Sequence, residues 1–510
     1  MSIQRPQLRE DLARTLHELA AFGEKRVGTH AGLKAAEYLR ARMIACGLDN
    51  VQLESFHFPR HDLLRSTLEL TVAGTTRDVG YDVFEGSGAG LVSADVVSVG
   101  WATEELLRAV DVRAKVALVE RNPIYHRSTQ YQNVIAAGAA AMLTISAAPA
   151  NLRQVGSVRR AWEAMGPIPA LTVGATDGMI LKAALDAKQR VHARIDVAAE
   201  ITRAVGQNVV GVIPGRSPEQ IVFGAHYDTW FAGSTDNGGG IAALLALAAR
   251  RIDRPRPRYT LVFVAWDGEE LALYGGYDYL RRHLVRSRES ILAVIDFETP
   301  SAHGAQVYGL ARSSQAPLGE AIVAAGLNEL FAMVIPMDLV PELFGGVIPT
   351  DIQGLYRGGT PSMSTAVDSP YYHTAEDTPD KVDLARLEET VTSFDRALDR
   401  LLDEPAARFG DRDPALWTAQ IVARLGEAAL LVDILVRDAQ GRPQAGALVE
   451  AVLFHDHFFE SATRTSRTDG DGRVTISFAA ANLILRPGPR FLHVTAGDRW
   501  PLVESVLAID

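Results

Sequence analysis

Cysteine is nearly absent from this sequence of 510 residues, in which Cys46 is the only one. A single thiol excludes any disulfide within the chain, which is compatible with a reducing compartment. Lysine is also scarce, so that most of the 51 basic residues are arginine. The 62 acidic residues outnumber them and give a formal net charge of −11. This acidic balance argues against nucleic acid and anionic membrane surfaces as partners.

Long apolar runs are missing as well. The longest, residues 135–144 and 241–249, are too short and too rich in small side chains to span a bilayer, so no membrane span is expected. Charges interrupt the first residues, and no apolar run follows them. We therefore find no secretory signal and expect a cytoplasmic protein, with secretion as the alternative. The sequence gives no indication of the oligomeric state.

The patterning of the chain divides it into an α/β domain and two β-rich additions. From about residue 206, short β-branched runs alternate with helical segments, which predicts a mainly parallel sheet covered by helices on both faces. This domain is expected to comprise residues 1–63 and 203–405. Residues 64–202 are predicted to form an inserted β-rich module. After a predicted helix at 417–426, residues 428–510 carry strand patterns joined by tight Asp-Gly turns, which predicts a β-sandwich.

Potential metal ligands follow each strand of the α/β domain. They are His226, Asp228, Glu269, Glu270, Asp296 and Glu298 at strand ends, Asp236 before the first helix, and Tyr372 and His373 in a later polar loop. The carboxyl ends of parallel strands meet at one edge of a sheet, so we expect these side chains to converge. Imidazole and carboxylate groups without thiolate suit a catalytic zinc site. Two metals about 3.5–4 Å apart can share and activate one water molecule.

The spacing of these residues indicates different tasks. Glu269 and Glu270 are adjacent on an extended stretch, so their side chains point in different directions. One of them can bind a metal while the other takes a proton from the water. Asp228 follows His226 by two residues and can orient its imidazole. Asp296 and Glu298 lie two apart on one strand face and therefore compete for one ligand position.

The order of these residues resembles the co-catalytic dizinc metallopeptidases of the leucyl-aminopeptidase and aminopeptidase Y type, in the superfamily of glutamate carboxypeptidase. The resemblance is carried by His226-x-Asp228, Asp236-Asn237-Gly238, Glu269-Glu270, Asp296 and Tyr372-His373. It implies two Zn²⁺ ions per chain, held by His226, Asp236, Glu270, Asp296 and His373, with Asp236 as the bridge. It also implies that Glu269 is the general base for a metal-bridging water and that Tyr372 polarises the scissile carbonyl. The resemblance favours Asp296 over Glu298.

The two additions resemble domains that accompany such peptidases. Residues 115–146 resemble a protease-associated domain, which this family carries at this position, where it shields or shapes the substrate cleft. The runs GRPQAGALVEA and TDGDGRVTIS resemble transthyretin-like or carboxypeptidase-regulatory-like domains. The sequence departs from the pattern of the peptidase family at two places. Residues 271–276, after the glutamate pair, differ from it, and Thr350-Asp351 match it only loosely. Neither removes a ligand, but both leave the substrate preference open.

The resemblance predicts a zinc-dependent exopeptidase, with aminopeptidase as the first choice, that acts on a peptide or small amide. Carboxypeptidase, N-acyl-amino-acid hydrolase and glutaminyl cyclase activities remain alternatives, because the same metal site serves all of them in this superfamily. A non-catalytic binding protein, as in the transferrin receptor, is the remote alternative, since no ligand is lost here. The sequence has neither a Gly-x-Ser-x-Gly elbow nor a His-Glu-x-x-His motif, so serine hydrolases and thermolysin-like enzymes find no support.

Overall fold

A computed structural model of the chain describes residues 5–122, 125–159, 164–311, 316–343, 346–410, 417–479, 481, 488–498 and 500–509. A large mixed sheet with helices on its faces forms the centre of the molecule, and two further antiparallel sheets follow at the carboxyl end. The predicted fold class, α/β with a mainly parallel sheet and additional β-structure, is confirmed. No described helix combines the length and the hydrophobicity that crossing a membrane requires.

The central part of the large sheet consists of parallel strands. The sheet order is Val334–Pro336, Val307–Ala311, Ser362–Val367, Ile291–Asp296, Ser217–His226, Tyr259–Trp266, Val191–Ile213, Gly90–Ser98, Val116–Glu120, Ala141–Ile145, Ala170–Val173 and Tyr81–Val83. The four strands that carry or adjoin the predicted ligands, from Ser362–Val367 to Tyr259–Trp266, run parallel to one another. Tyr259–Trp266 is almost wholly buried, because helices cover both faces of the sheet.

Helices cover the sheet around an apolar core. The α-helices are Arg5–Ala20, His30–Cys46, Glu104–Arg108, Arg127–Ala136, Ala175–Asp186, Gly239–Ile252, Tyr274–Tyr279, Ala316–Ala324, Leu327–Leu330, Val340–Leu343, Gln353–Arg357 and Leu384–Asp403. Short 3₁₀ or π turns lie at Ser234–Gly238, Leu280–Arg286, Met337–Leu339, Pro379–Lys381 and Ala406–Gly410. Leu244, Phe263 and Phe394 are fully buried where helices meet the sheet. This packing holds the strand ends in fixed positions.

The predicted insert is continuous with the central sheet. Strands Asp49–Val72 and Val191–Ile213 pair antiparallel along nearly their whole length, and Asp49–Val72 also pairs with Thr75–Arg77. The boundaries expected at 63/64 and 202/203 fall inside these two long strands. Beyond them the insert has its own parallel strands and its own apolar clusters. The insert is therefore attached through a two-stranded arm and not through a linker.

The carboxyl-terminal residues form a sandwich of two antiparallel sheets. One contains Thr418–Leu425, Ala429–Arg437 and Arg473–Ala479, and the other contains Phe459–Arg467, Leu448–His455, Arg490–Ala496 and Val503–Ile509. The helix predicted at 417–426 is wrong, because Thr418–Leu425 is a strand that pairs antiparallel with Ala429–Arg437. The sandwich accordingly begins at Thr418 and not at residue 428.

Candidate metal centre

The predicted ligands lie at the carboxyl edge of the parallel strands. His226 ends one strand, Asp296 ends its neighbour, and Glu269 and Glu270 follow the strand on the other side. Asp236 reaches this edge from the turn that precedes helix Gly239–Ile252. The topology thus brings residues that are far apart in the chain to one place, as parallel strand ends do in α/β proteins.

Two groups of potential ligands share one carboxylate. One group is His226, Asp236 and Glu298, and the other is Asp236, Glu270 and His373. The Nε2 atom of His226 lies 3.1 Å from Oδ1 of Asp236 and 3.5 Å from Oε2 of Glu298. The Nε2 atom of His373 lies 3.1 Å from Oδ2 of Asp236 and 2.9 Å from Oε2 of Glu270. Each oxygen of Asp236 therefore faces a different group, which is the arrangement a bridging carboxylate requires.

The donor atoms fit a metal ion. The Nε2 atoms of His226 and His373, Oδ1 of Asp236, Oε1 of Glu270 and Oε2 of Glu298 are buried and have no hydrogen-bond partner among the described residues. Buried polar atoms are normally hydrogen-bonded, so five such atoms in one place are suited to hold a cation. Imidazole nitrogen and carboxylate oxygen without thiolate suit zinc in a catalytic site.

Backbone carbonyls orient both imidazoles. Nδ1 of His226 donates to the carbonyl oxygen of Asp228 at 2.9 Å, and Nδ1 of His373 donates to that of Val155 at 3.1 Å. A proton on Nδ1 leaves Nε2 as the free donor to a metal. Val155 belongs to the insert, so the insert helps to fix a candidate ligand of the α/β domain.

The role predicted for Asp228 is corrected in one respect. Its backbone carbonyl, and not its carboxylate, contacts the His226 ring, and the nearest carboxylate oxygen is 3.7 Å from Nδ1. The carboxylate instead accepts hydrogen bonds from the backbone N–H groups of Glu269 and Glu270, at 3.1 and 3.2 Å. Asp228 therefore positions the backbone of the glutamate pair.

The structure groups Glu298, and not the predicted Asp296, with His226 and Asp236. Both oxygens of Asp296 already accept hydrogen bonds, one from Nε1 of Trp266 at 3.2 Å and the other from the hydroxyl of Thr350. Glu298 lies two residues beyond the strand end and has a longer side chain, which reaches His226 and Asp236. The predicted preference for Asp296 over Glu298 is therefore corrected. Trp266 and Thr350 hold the Asp296 carboxylate, which belongs to neither ligand group.

The charges of the site favour a bound cation. Burial opposes the charged form of His226, but Glu298, Asp228 and Asp236 outweigh it and raise its pKa well above the ordinary value. Burial alone would raise the pKa of Asp236, yet the facing imidazoles of His226 and His373 lower it. The carboxylates therefore attract positive charge to the ring nitrogens, and a divalent cation would replace those protons.

Glu269 and Tyr372 face the same cavity as the ligand groups. Burial above all, together with the charges of Glu298 and Glu270, raises the pKa of Glu269 well above that of an ordinary carboxylate. Burial also raises the pKa of Tyr372, so its hydroxyl stays protonated. Nη1 of Arg127, from the insert, lies 3.5 Å from that hydroxyl. A proton acceptor and a proton donor therefore border the space next to the candidate ligands.

Two supporting residues were not predicted from the sequence. Asp377 accepts hydrogen bonds from the backbone N–H and hydroxyl of Thr235, at 2.8 and 2.7 Å, and from the N–H of Asp236 at 3.1 Å. Nε1 of Trp230 donates to Oε2 of Glu270 at 2.7 Å. Asp377 follows His373 by four residues in the same polar loop, and this proximity in sequence could have identified Asp377 as a residue of the site. Trp230 and the insert's Arg127 carry no such local signal.

Comparisons with known proteins match the part of the chain that carries the candidate metal centre. Residues 208–394 match the sequence profile described as Peptidase family M28. The chain is 25% identical over 237 residues to the mouse protein Aminopeptidase NAALADL1, a match that covers 39% of this chain and 30% of that protein. It is 23% identical over 400 residues to mouse Carboxypeptidase Q, covering 70% of this chain and 81% of the relative.

Solved structures show the same fold. A zinc aminopeptidase from Bacillus subtilis superposes with a TM-score of 0.60 at 21% identity, covering 78% of this chain and 95% of that one. A peptidase M28 precursor from Shewanella amazonensis superposes with a TM-score of 0.61 at 20% identity, covering 79% and 96%. At this sequence identity the superpositions show a shared fold only. The sequence profile, by contrast, spans the residues of the candidate metal centre.

Proposed function

We propose that this chain is a zinc-dependent aminopeptidase, because residues 208–394, which carry all the candidate metal ligands, match the sequence profile described as Peptidase family M28. The predicted class of enzyme, a metallo-exopeptidase, is confirmed by the family and by the relatives. The choice of the amino end and the number of two zinc ions are our proposals. The observation that carries them is the pair of ligand groups that share Asp236, with Glu269 beside them in the cavity.

The residues of the site have separate tasks in this proposal. His226, Asp236 and Glu298 would hold one zinc ion, and Asp236, Glu270 and His373 the other. Zinc, when bound, supplies a Lewis acid for the scissile carbonyl and for water. Glu269 takes a proton from the attacking water and returns it to the leaving amine. The protonated hydroxyl of Tyr372 donates a hydrogen bond to the carbonyl oxygen as negative charge develops there.

The charges of the cavity support a substrate with a free amino end. Apart from the candidate ligands, its acidic lining residues are Glu269, Glu450, Asp498 and Glu504, and its basic ones are His126, Arg127 and Arg159. Burial above all, together with the charge of Arg127, holds the pKa of His126 well below its ordinary value, so its imidazole is neutral. Arg159 is paired with Glu85 at 2.9 Å, Asp498 is paired with Arg467 at 2.8 Å, and Glu504 lies 3.9 Å from Arg357. Acidic side chains outnumber basic ones in the lining as a whole, which favours an α-ammonium group over an α-carboxylate. Arg127 is the observation that favours the alternative, a carboxypeptidase, because a guanidinium can hold a carboxylate.

Replacing Glu269 tests the mechanism. The Glu269→Gln variant keeps the size and the backbone contacts of the residue but cannot accept the proton. We expect zinc content to stay unchanged while kcat falls by about two to four orders of magnitude. The matched control is Glu37→Gln, in which the side chain is 62% exposed on a helix away from the site. Near-normal turnover in Glu269→Gln would exclude this residue as the base.

A peptide panel decides which end is cleaved. Free, amino-blocked and carboxy-blocked versions of the same sequences are incubated with and without a chelator and analysed by mass spectrometry. Chelator-sensitive loss of residues from the free amino end alone is the expected result. Trimming from the carboxyl end would move the protein to the carboxypeptidase alternative, and hydrolysis of amino-blocked substrates would move it to the acyl-amino-acid hydrolases.

A further inference from the structure

The carboxyl-terminal sandwich forms one wall of the cavity that contains Glu269. This cavity has a volume of about 480 Å³. Glu269 and Tyr372 border it on the side of the α/β domain, whereas Leu448, Asp498 and Trp500 border it on the side of the sandwich. A domain that was expected to be an accessory module thus faces the candidate active site directly.

Buried polar contacts fix this wall to the α/β domain. Glu504 of the sandwich accepts a hydrogen bond from the hydroxyl of Tyr277 at 3.0 Å, and that hydroxyl accepts one from Nε2 of Gln353 at 2.8 Å. The guanidinium of Arg357 lies 3.9 Å from Glu504. Gln353 itself lines the cavity. The contacts that hold the sandwich therefore reach the cleft, so the position of the wall depends on them.

Aromatic contacts extend the same interface. The ring of Phe458, from the sandwich, packs edge-on against Tyr274 with 4.7 Å between ring centroids. The guanidinium of Arg281 lies over Phe458 at 4.3 Å. Near the cavity, a Cβ atom at Gly346 would lie 3.3 Å from Cβ of Trp500, so this loop and the sandwich are in close contact. The sandwich is thus packed against the cleft by both apolar and polar groups.

We propose that the sandwich selects substrates by length, closing the cleft opposite the candidate metal ligands and restricting it to short peptides. This inference rests on the proposed exopeptidase function. Pockets of about 300–1,000 Å³ typically enclose a ligand of drug-like size, and the cavity here falls within that range. Each further residue of an extended peptide adds about 3.3 Å, so the wall at Trp500 limits the length of peptide that the cavity can hold.

A ladder of peptides tests this inference on the intact, zinc-loaded protein. The peptides share their amino-terminal residues and run from a dipeptide to a decapeptide, and kcat/KM is measured for each. We expect kcat/KM to be at least about tenfold higher for the tripeptide than for the decapeptide. Trp500→Ala should narrow this ratio by improving cleavage of the decapeptide. Leu431→Ala, a change on an exposed face of the sandwich, should leave the ratio unchanged.

If Trp500→Ala does not fold, a second variant tests the same inference. Asp498→Ala removes a side chain that is 63% exposed and should shift the ratio in the same direction. Equal kcat/KM along the ladder in the unaltered enzyme, or an unchanged ratio in each variant that folds, would overturn the inference alone. A zinc-loaded protein that cleaves no peptide of any length would overturn the proposed function, and this inference with it.

Discussion

At the scale of single residues, Asp377 illustrates how the candidate site is held together from outside the ligand groups. Its two carboxylate oxygens accept three hydrogen bonds from Thr235 and Asp236, and the side chain is almost completely buried. These contacts fix the turn from which the shared carboxylate of Asp236 projects. A carboxylate that supports a ligand in this way normally affects metal affinity as well as geometry.

The Asp377→Asn variant should therefore bind zinc more weakly. The amide of asparagine has the same size as the carboxylate, but its NH₂ group replaces one of the two acceptor oxygens. That NH₂ group would then face a backbone N–H group of Thr235 or Asp236, which is also a donor. We expect the dissociation constant for zinc, measured by competition with a chelator, to rise about 10–100-fold. Asp380→Asn is the matched control, because that side chain is 69% exposed and bonds only to surface groups among the described residues. Equal zinc affinity in both variants would contradict the positioning role.

The positions of the candidate ligands were predictable from the sequence where a candidate lies at or just after a strand end. His226, Glu269 and Glu270 lie where the alternating pattern places them, at the carboxyl edge of the sheet. The choice between Asp296 and Glu298 failed, because it depends on Trp266 and Thr350, which donate to Asp296 from other strands and loops. No local pattern encodes those donors. The hydrogen bond between His373 and the carbonyl of Val155 could not be predicted either, because 218 positions separate the two residues in the sequence.

At the scale of elements, His283 joins two parts of the sheet. Its Nε2 lies 3.0 Å from Glu54 on the long strand Asp49–Val72, and its Nδ1 lies 3.0 Å from Glu289, just before strand Ile291–Asp296. Burial lowers the pKa of His283, but the two carboxylates outweigh this and raise it to about 9. The protonated ring therefore binds both elements at neutral pH.

This linkage gives a pH dependence of stability. A histidine whose pKa rises on folding stabilises the protein fully below its unfolded pKa of 6.5, and this stabilisation is lost as the pH rises through about 9. We expect His283→Gln to lower the free energy of unfolding by roughly 3 kcal/mol at pH 6. The difference should vanish near pH 10 in urea titrations. His303→Gln, at a side chain that is 60% exposed, is the control variant.

Element-scale prediction from sequence was strongest for the long, unbroken runs. The strands ending at His226, Trp266 and Asp296 and the helices between them follow the predicted alternation. The segment 417–426 was assigned wrongly, because its apolar residues fit helical spacing as well as strand alternation. Pairing with Ala429–Arg437 decides the outcome, and that pairing is a tertiary contact. The sequence did not predict that the strands Asp49–Val72 and Val191–Ile213 pair across the boundaries of the insert, because the two strands are far apart in the chain.

At the scale of the whole molecule, a buried charge, Glu504, contributes to the contact between the sandwich and the α/β domain. Glu504 is 3% exposed and faces Arg357 and His493, both of which are also buried. Burial would raise the pKa of Glu504, but the neighbouring charges and the hydroxyl of Tyr277 lower it, so the carboxylate is ionised. Two side-chain nitrogens of Arg357, Nε and one Nη, have no hydrogen-bond partner among the described residues, and Glu504 is the largest of the charges that favour its protonated form.

Removing the carboxylate should destabilise the whole molecule. Glu504→Ala removes the nearest acidic partner of the buried Arg357, and breaking a buried ion pair typically costs about 3–5 kcal/mol. Glu504→Gln retains an acceptor for Tyr277 and should lose less. Urea unfolding followed by circular dichroism gives the comparison, with the exposed Glu427→Ala as the control. A loss as small as that of the control would show that the interface does not depend on Glu504.

The number of zinc ions bound per chain, measured together with peptide hydrolysis on the same sample, tests the central claim most directly. Protein stripped by a chelator is titrated with zinc, and metal content and cleavage of a short free peptide are followed in parallel. Two ligand groups sharing Asp236 predict that hydrolysis is absent without zinc and reaches its plateau at two ions per chain. Full hydrolysis by the stripped protein, or a zinc-loaded protein without hydrolysis, would contradict the account.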